Sequence, residues 1–188
     1  MKKILLTVLC IGVLGIGNCV CAKSLEEYTI EITDLDYAQK HQEALKLANI
    51  AISGYPNSAL LYCLRGGIYE DLNNKKAALA DYDRAISLDP KNEDAYFYRG
   101  MIKLDLSSAQ SAYTDFTTCL RVNPKNGYCY TGRGTARMEL GDLSGSMKDM
   151  EYGLQLIDED TKQSAKELDQ LLKETDEMIE QAKQETAK

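Results

Sequence analysis

Histidine is nearly absent from this sequence, and its scarcity removes most common kinds of catalytic and metal site. The only histidine is His41, and no Cys-x-x-Cys pair is present to complete a zinc site. No glycine-rich loop follows a strand pattern, so phosphate has no cradle. Hydrolytic Ser-His-Asp or Cys-His sites would have to use His41, which we interpret as a solvated residue between the first two helices. The sequence therefore predicts no enzyme activity, no cofactor and no metal site.

Positive charge is also in short supply. Lys and Arg total 22 against 29 Asp and Glu, which gives a net charge of -7, and no stretch of the chain forms a basic stripe. Proteins that bind nucleic acids need clustered Lys and Arg to displace counterions from phosphates. We therefore expect a protein or peptide partner and no nucleic acid.

Long apolar runs are missing except for one, from Ile4 to Gly17, which follows Met1-Lys2-Lys3. A short basic start, an apolar segment and the small residues Val20 and Ala22 are typical of a secretory signal. We predict a signal peptide over residues 1–22 with cleavage after Ala22. Its removal deletes two lysines and no acids, so the net charge moves from -7 to -9.

Two alternatives to cleavage at Ala22 stay open. Ile16-Gly17-Asn18-Cys19 resembles a lipobox, which would make Cys19 the lipidated first residue of an anchored protein. In the other alternative the apolar run is an uncleaved anchor, although it is barely long enough to span a bilayer. All three alternatives export the rest of the chain, to the periplasm or as a secreted protein, and the last two tether it to a membrane.

Cysteines are too few, and odd in number, for a disulfide framework. Beyond the predicted signal only Cys63, Cys119 and Cys129 remain. Cys119 and Cys129 flank Pro124 and would face each other across a helical hairpin, so a disulfide is geometrically possible. The alternative that we favour is that both pack as small apolar residues with free thiols.

Proline occurs only at Pro56, Pro90 and Pro124, at intervals of 34 residues. A tyrosine and an Arg-Gly pair recur at the same interval, as Tyr62, Arg65 and Gly66, then Tyr96, Arg99 and Gly100, then Tyr130, Arg133 and Gly134. A fixed period of this length without strand-like alternation indicates stacked pairs of helices. The clearest copies are residues 59–92, 93–126 and 127–160.

Within a copy, small residues alternate with large ones. Gly66 and Ala78 would let the two helices approach, while Tyr69 and Tyr82 fill the space above and below them. Each proline ends a second helix because it lacks an N–H donor. The asparagines that follow within two residues are predicted to cap the next first helix. These are Asn57, Asn92 and Asn126.

The pattern resembles the tetratricopeptide repeat family. The residues that carry the resemblance are Tyr62, Gly66, Tyr69, Ala78, Tyr82, Ala85 and Pro90, with their counterparts in the next copy. The resemblance implies an all-α, right-handed superhelix of about four repeats over residues 25–158, with units 25–58, 59–92, 93–126 and 127–160. Residues 28–33 alternate like a strand, but Tyr28, Ile32 and Leu35 also form a helical stripe, so we predict a helix there.

The C-terminal segment, residues 161–188, is polar but carries apolar residues at helical spacing. We expect a separate capping helix that covers the apolar face of the last unit, because helical arrays need a polar end to stay soluble. A coiled coil is the alternative, with an apolar spacing that lasts about two heptads.

The repeated Arg65, Arg99 and Arg133 have two interpretations. A ladder of guanidinium groups would bind carboxylates of a partner. In the family's frame, however, this position lies between the helices, so we favour structural pairing with acids such as Asp81 and Asp115, of little energetic value where exposed.

The resemblance also implies where a partner binds, because the first helices of such an array line its concave face. The positions of the family frame on that face are Leu60, Cys63, Gly67, Glu70, Asp71, Asp94, Phe97, Met101, Leu104, Asp105, Tyr128, Thr131, Thr135, Met138 and Glu139. This lining is apolar with an acidic edge, which fits an apolar peptide or helix with a basic flank. Family members that grip a C-terminal carboxylate use Lys and Asn here, and those residues are missing. The alternative is that Phe97 and Met101 only pack inside a narrow superhelix.

The sequence thus predicts a non-enzymatic protein-binding adaptor of the bacterial cell envelope, a monomer or weak oligomer that meets the membrane only through its signal or a lipid. The alternative is a structural subunit of an envelope assembly that oligomerises through its C-terminal helix or convex face.

Overall fold

The computed structural model describes residues 23–186, and the predicted signal peptide with Cys19 lies outside the described residues. The described part contains helices and no strands. The helices are α1 (Leu25–Tyr37), α2 (His41–Gly54), α3 (Ala59–Asp71), α4 (Lys75–Leu88), α5 (Glu93–Asp105), α6 (Ala109–Val122), α7 (Gly127–Glu139) and α8 (Leu143–Thr186). Each helix packs mainly on its neighbours in the chain, which confirms the predicted all-α array of helix pairs.

The first helix forms despite its strand-like alternation. Ser24 and Glu27 make a capping box, in which the Ser24 hydroxyl accepts from the Glu27 amide at 3.1 Å and the Glu27 carboxylate accepts from the Ser24 amide at 2.7 Å. Ile32 is fully buried against the next helices. A local cap and a helical apolar stripe therefore decide the structure of α1, since no strand is present to pair with it.

The caps of the other first helices follow the repeat with one correction. Asn92 accepts from the amide of Ala95 and Asn126 from that of Cys129, as predicted. At the start of α3, however, Ser58 is the capping residue and accepts from the Leu61 amide at 3.4 Å. The predicted Asn57 cap is wrong because Ser58, and not Asn57, lies one full period before Asn92.

Close approach of the paired helices depends on glycine. A Cβ atom added to Gly66 would lie 2.7 Å from the Tyr82 ring, and one added to Gly100 would lie 2.9 Å from the Phe116 ring. Both rings are fully buried. The small-against-large packing predicted from the repeat is therefore confirmed at these positions.

The repeated arginines pair with buried acids inside each unit. Arg65 binds Asp81 through two nitrogens at 2.7 Å each, and Arg99 binds Asp115 at 2.9 and 2.6 Å. Arg133 repeats this with Asp149 at 2.7 Å. The predicted structural pairing is confirmed. The aspartate side chains are only 4 to 8% exposed, so the pairs are not the weak surface contacts that we considered.

A disulfide joins Cys119 of α6 to Cys129 of α7, with a Cα–Cα distance of 6.3 Å. The free-thiol alternative that we favoured for these two residues is therefore wrong. Both are fully buried, so the bond lies in the core between the third and fourth units.

The C-terminal segment differs most from expectation. The second helix of the last unit does not stop near residue 160 but continues as one helix of 44 residues, so the tail extends α8 instead of forming a separate capping helix. The reason is in the sequence: Asp158 stands where the earlier units have their helix-ending proline. Residues 158–167 are exposed. Among residues 23–186, no helix combines the length and apolar character that crossing a membrane requires.

Candidate functional site

A cavity of about 550 Å³ opens on the face formed by α1, α3 and α5, with Tyr82 of α4 beneath it. Its lining is mostly apolar with several carboxylates at the edge. The residues that line it are Asp36, Leu60, Cys63, Leu64, Gly67, Glu70, Asp71, Tyr82, Asp94, Phe97, Tyr98 and Met101.

Much of the predicted groove comes together here. Leu60, Cys63, Asp71, Asp94, Phe97 and Met101 line this one cavity, as do Gly67 and Glu70. Asp105 is not part of the lining, and its carboxylate instead binds the ammonium group of Lys75 at 3.0 Å. The acidic edge is therefore shorter than predicted at the C-terminal end of α5.

The predicted residues of α7 lie elsewhere. Tyr128 lines a second cavity of about 300 Å³ together with residues of α5 and α8. The ring centroids of Tyr128 and Phe97 are 6.2 Å apart, so the two cavities are neighbours separated by aromatic side chains. The Thr131 hydroxyl donates to the Tyr128 carbonyl, and Met138 is 48% exposed outside both linings. Asp94 lines both cavities, so they open side by side along the predicted groove.

Sequence reasoning missed four lining residues: Asp36, Leu64, Tyr82 and Tyr98. A signal for Asp36 was present, because it lies one period before the predicted Glu70. Tyr82 was assigned to the space between helices and not to the cavity. It reaches the cavity because Gly66 leaves room for its ring and its hydroxyl donates to Glu70 at 2.5 Å.

The charge around the cavity is of one sign. Asp36, Glu70, Asp71 and Asp94 contribute carboxylates, and none of the lining residues is Lys or Arg. Burial raises the pKa of Glu70 above its usual value even though Tyr82 donates to it, and burial also raises the pKa of Asp94, with a smaller contribution from Glu93. These shifts mean that the site holds negative charge at a cost and that a cation placed there would be favoured.

No reactive group accompanies this charge. Burial raises the pKa of the Cys63 thiol to about 12, helped by the nearby charges of Asp94 and Glu70, so the thiolate that a nucleophile requires does not form at neutral pH. Burial likewise raises the pKa of the Tyr82 hydroxyl, which remains a hydrogen-bond donor. Cys63 and Tyr82 therefore contribute packing and hydrogen bonding to the lining and not a nucleophile.

The single histidine is placed differently from its prediction. His41 is the first residue of α2 and is partly buried, so the loop assignment is wrong. Its Nδ1 lies 2.9 Å from an Asp36 oxygen and 3.8 Å from an Asp71 oxygen, where three helix ends meet. Asp36, His41 and Asp71 are the residues in the described part of the chain whose ligand atoms lie close enough to hold a metal ion. The hydrogen bond with Asp36 by itself explains the position of the imidazole.

The sequence was compared with models of protein families and with curated proteins. The tetratricopeptide repeat model matches residues 59–92, which is the second unit of the array. A search of curated proteins found no relative whose sequence matches this chain.

Solved structures share the fold. The crystal structure of MamA is 19% identical, with a TM-score of 0.65 over 73% of this chain and 81% of that chain. The Arabidopsis OM64 TPR domain is 24% identical, with a TM-score of 0.58 over 61% of this chain and 94% of that one. A tetratricopeptide repeat protein from Parabacteroides merdae is 25% identical, with a TM-score of 0.62 over 71% and 52%.

Proposed function

We propose that this chain, an array of tetratricopeptide repeats, is a non-enzymatic adaptor of the bacterial cell envelope that holds a segment of a partner protein in the cavity between α1, α3 and α5. The observation that carries the proposal is one concave surface that combines exposed apolar side chains with Glu70 and Asp94, which form no ion pair with Lys or Arg in the described part of the chain. The tetratricopeptide repeat fold is one that binds proteins, which supports the same class of function.

The apolar part of the cavity supports recognition of apolar side chains. Leu60, Tyr98 and Met101 are 51%, 42% and 40% exposed although they sit beside one another on a concave surface. Apolar groups that stay open to water in a concavity commonly mark a site for a partner. Phe97 backs this surface and contacts the rings of Tyr98 and Phe116, which fixes its shape.

The charged part supports a basic flank on the partner. Glu70 and Asp94 carry raised pKa values because of burial, and in the described residues neither forms an ion pair with Lys or Arg. A partner Lys or Arg at this edge would neutralise charge that the folded array holds unfavourably. The partner segment is therefore apolar with at least one basic residue beside its anchor.

Export is part of the proposal. The disulfide between Cys119 and Cys129 supports it, because such bonds persist in oxidising compartments. Cleavage after Ala22 would also leave Lys23 and the α1 cap, Ser24, in the mature chain. The intact mass of the protein from its native cells distinguishes a start at Lys23, a lipidated Cys19 and an uncleaved N-terminus. A mass that retains residues 1–22, together with residence in the cytoplasm, contradicts this part of the proposal.

The cavity is tested by site-specific crosslinking in those cells. A photoreactive phenylalanine derivative at Met101 should capture one partner, whereas the same group at Ile50, which is 58% exposed on α2, should not. Asp71→Lys combined with Asp94→Lys should abolish capture at Met101, since both carboxylates line the cavity. Equal capture at both positions, or capture that survives the charge reversal, rules out this binding site.

The second candidate function is a structural subunit that assembles through α8. The observation that favours it is the long, exposed extension of this helix beyond the last unit.

A further inference from the structure

The boundaries between units are closed by two recurring apolar positions on the second helices. These positions are Leu45, Leu79, Tyr113 and Met147 in one row, and Ile52, Ile86, Leu120 and Leu154 in the other. In the first three units they are buried or half-buried and pack on core clusters that contain residues of the next first helix. In the last described unit no further helix packs on these positions, and Met147 and Leu154 are 72% and 61% exposed.

The opposite end of the array is built differently. The first helices present apolar residues toward the preceding unit, namely Leu61 and Ile68 in α3, Ala95 and Ile102 in α5, and Cys129 and Ala136 in α7, all essentially buried. One period earlier, α1 has Glu27 and Asp34 at these positions, and both are exposed. The described N-terminal end therefore places carboxylates where the apolar edge of α8 would need apolar partners, although Ile30 and Tyr37 of α1 are 57% and 92% exposed. These two charges per copy disfavour head-to-tail stacking into a filament, and a mass that grows beyond two chains would show such stacking.

The sequence of α8 carries the spacing of a coiled coil. Intervals of four and three residues alternate through Leu143, Met147, Met150, Leu154, Ile157, Thr161, Ser164, Leu168, Leu171, Thr175, Met178 and Ala182. The sequence alone predicted about two such heptads, but the uninterrupted helix puts the whole series in one register. Within the array, Met150 and Ile157 pack against Gly134 and Gly127 of α7, so Met147 and Leu154 are among the members left open there. Most of the series is apolar, and the polar members are small, which suits a helix that supercoils around an identical one.

We propose that the occupant of this edge is a second copy of the chain, and that two copies pair in parallel through α8 about a two-fold axis. The parallel arrangement places Met147 and Leu154 of each copy against the same residues of the other and lets the extensions wind together. Among residues 23–186, α8 packs on α7 and on no other helix, and none of its residues lines the cavity between α1, α3 and α5. The dimer thus presents two open cavities. It deepens the second candidate function, assembly through α8, and does not depend on partner binding in the cavity.

The first test measures the mass of the mature chain, exported so that its disulfide forms, by light scattering. We expect about twice the mass of a single chain, and Met147→Glu with Leu154→Glu should weaken association by at least about tenfold, because two charges would be buried without partners. Both residues are exposed in the single chain, so the variant should keep its helicity and thermal midpoint. Ile50→Glu, also on an exposed apolar residue, is the matched control and should leave the dimer intact.

The second test reads the register of the pair. Thr161→Cys should form an intermolecular disulfide under mild oxidation, because identical seam positions face each other in a parallel pair. Gln163→Cys, two residues further and outside the seam, should not. Cys63 does not compete, since burial holds its pKa at about 12. A single-chain mass up to about 100 μM, a dimer that survives the double glutamate variant, or equal crosslinking at both positions overturns the proposal.

Discussion

The carboxylates between the helices and the carboxylates around the cavity differ in what balances their charge. Asp115 is buried and accepts hydrogen bonds from both Arg99 and Lys103, while Glu70 is half-buried and Asp94 is exposed at the cavity edge. In the described residues neither Glu70 nor Asp94 forms an ion pair with Lys or Arg, although Lys75 lies near enough to favour the charged form of Glu70. Between the helices, the chain's own Arg and Lys side chains balance the negative charge. Around the cavity, the negative charge is not balanced by such ion pairs, and we expect a partner to supply the cation. The comparison separates residues that stabilise the array from residues that serve binding.

The largest effect should come from removing an interhelical acid. Asp115→Ala removes the carboxylate that pairs with Arg99 and Lys103 between two mostly buried helix faces. We therefore expect the free energy of unfolding, measured with urea, to fall by about 3 kcal/mol. The control is Asp83→Ala, since Asp83 binds the same Arg99 from a position where its side chain is 62% exposed. That change should cost less than about 1 kcal/mol. Equal losses would mean that burial does not set the strength of these pairs.

The floor of the cavity should be nearly as sensitive. Gly66→Ala places a methyl group about 2.7 Å from the Tyr82 ring, so the ring or the helix must move, and we expect a loss of roughly 1–3 kcal/mol. Gly67→Ala is the neighbouring control, because its Cβ would meet only the Tyr82 hydroxyl at 3.9 Å. Thermal unfolding of both variants measures the difference. If Gly67→Ala is the more damaging change, the packing assigned to Tyr82 is incorrect.

Neutralising the acids of the cavity should raise the stability of the folded state, whereas the two changes above lower it. Glu70→Gln with Asp94→Asn removes charges that burial disfavours, so the thermal midpoint should rise by about a degree or two. The same variant should bind a lysine-flanked apolar peptide more weakly than the parent does. A lower midpoint, or unchanged peptide binding by fluorescence anisotropy, would mean that the cavity acids serve stability like the acids between the helices.

A pH series should give the smallest effect. Because the pKa values of Glu70 and Asp94 are raised in the folded state above 4.5 and 3.8, the folded state holds their protons more tightly than the unfolded state. Their penalty is absent below those ordinary values, grows as pH rises, and is complete above the raised values. The advantage in midpoint of the Glu70→Gln, Asp94→Asn variant should therefore be greatest at pH 7 and vanish only below the ordinary pKa of 3.8 for Asp94. A gap that widens on acidification contradicts the assigned direction.

The repeat made the Arg–Asp pairs between the helices of each unit predictable, because the arginine and the aspartate recur at the same interval. Arg65 and Arg99 align with Asp81 and Asp115, and Asp149 follows one period later. The same arithmetic would have replaced Asn57 by Ser58 as a cap and added Asp36 to the cavity. The positions of the Ser58 cap and of Asp36 are therefore both contained in the 34-residue period of the sequence.

Other features depend on tertiary context that periodicity does not contain. The shape of the predicted groove near Phe97 and Tyr128 depends on where their rings meet, which is decided by side-chain size and packing. The position of His41 depends on the meeting of three helix ends. The length of α8 depends on the absence of a helix-ending proline, since Asp158 occupies the position that proline has after the other second helices.

The bond between Cys119 and Cys129 has a mechanical consequence. Solenoids come apart unit by unit from their ends, where each unit is held by a single neighbour. Here Cys129, near the start of α7, is covalently fastened to α6, so a pull on the long C-terminal helix can strip α8 from α7 but cannot part the start of α7 from the unit before it. The boundary between the third and fourth units therefore stays joined after α8 has come away.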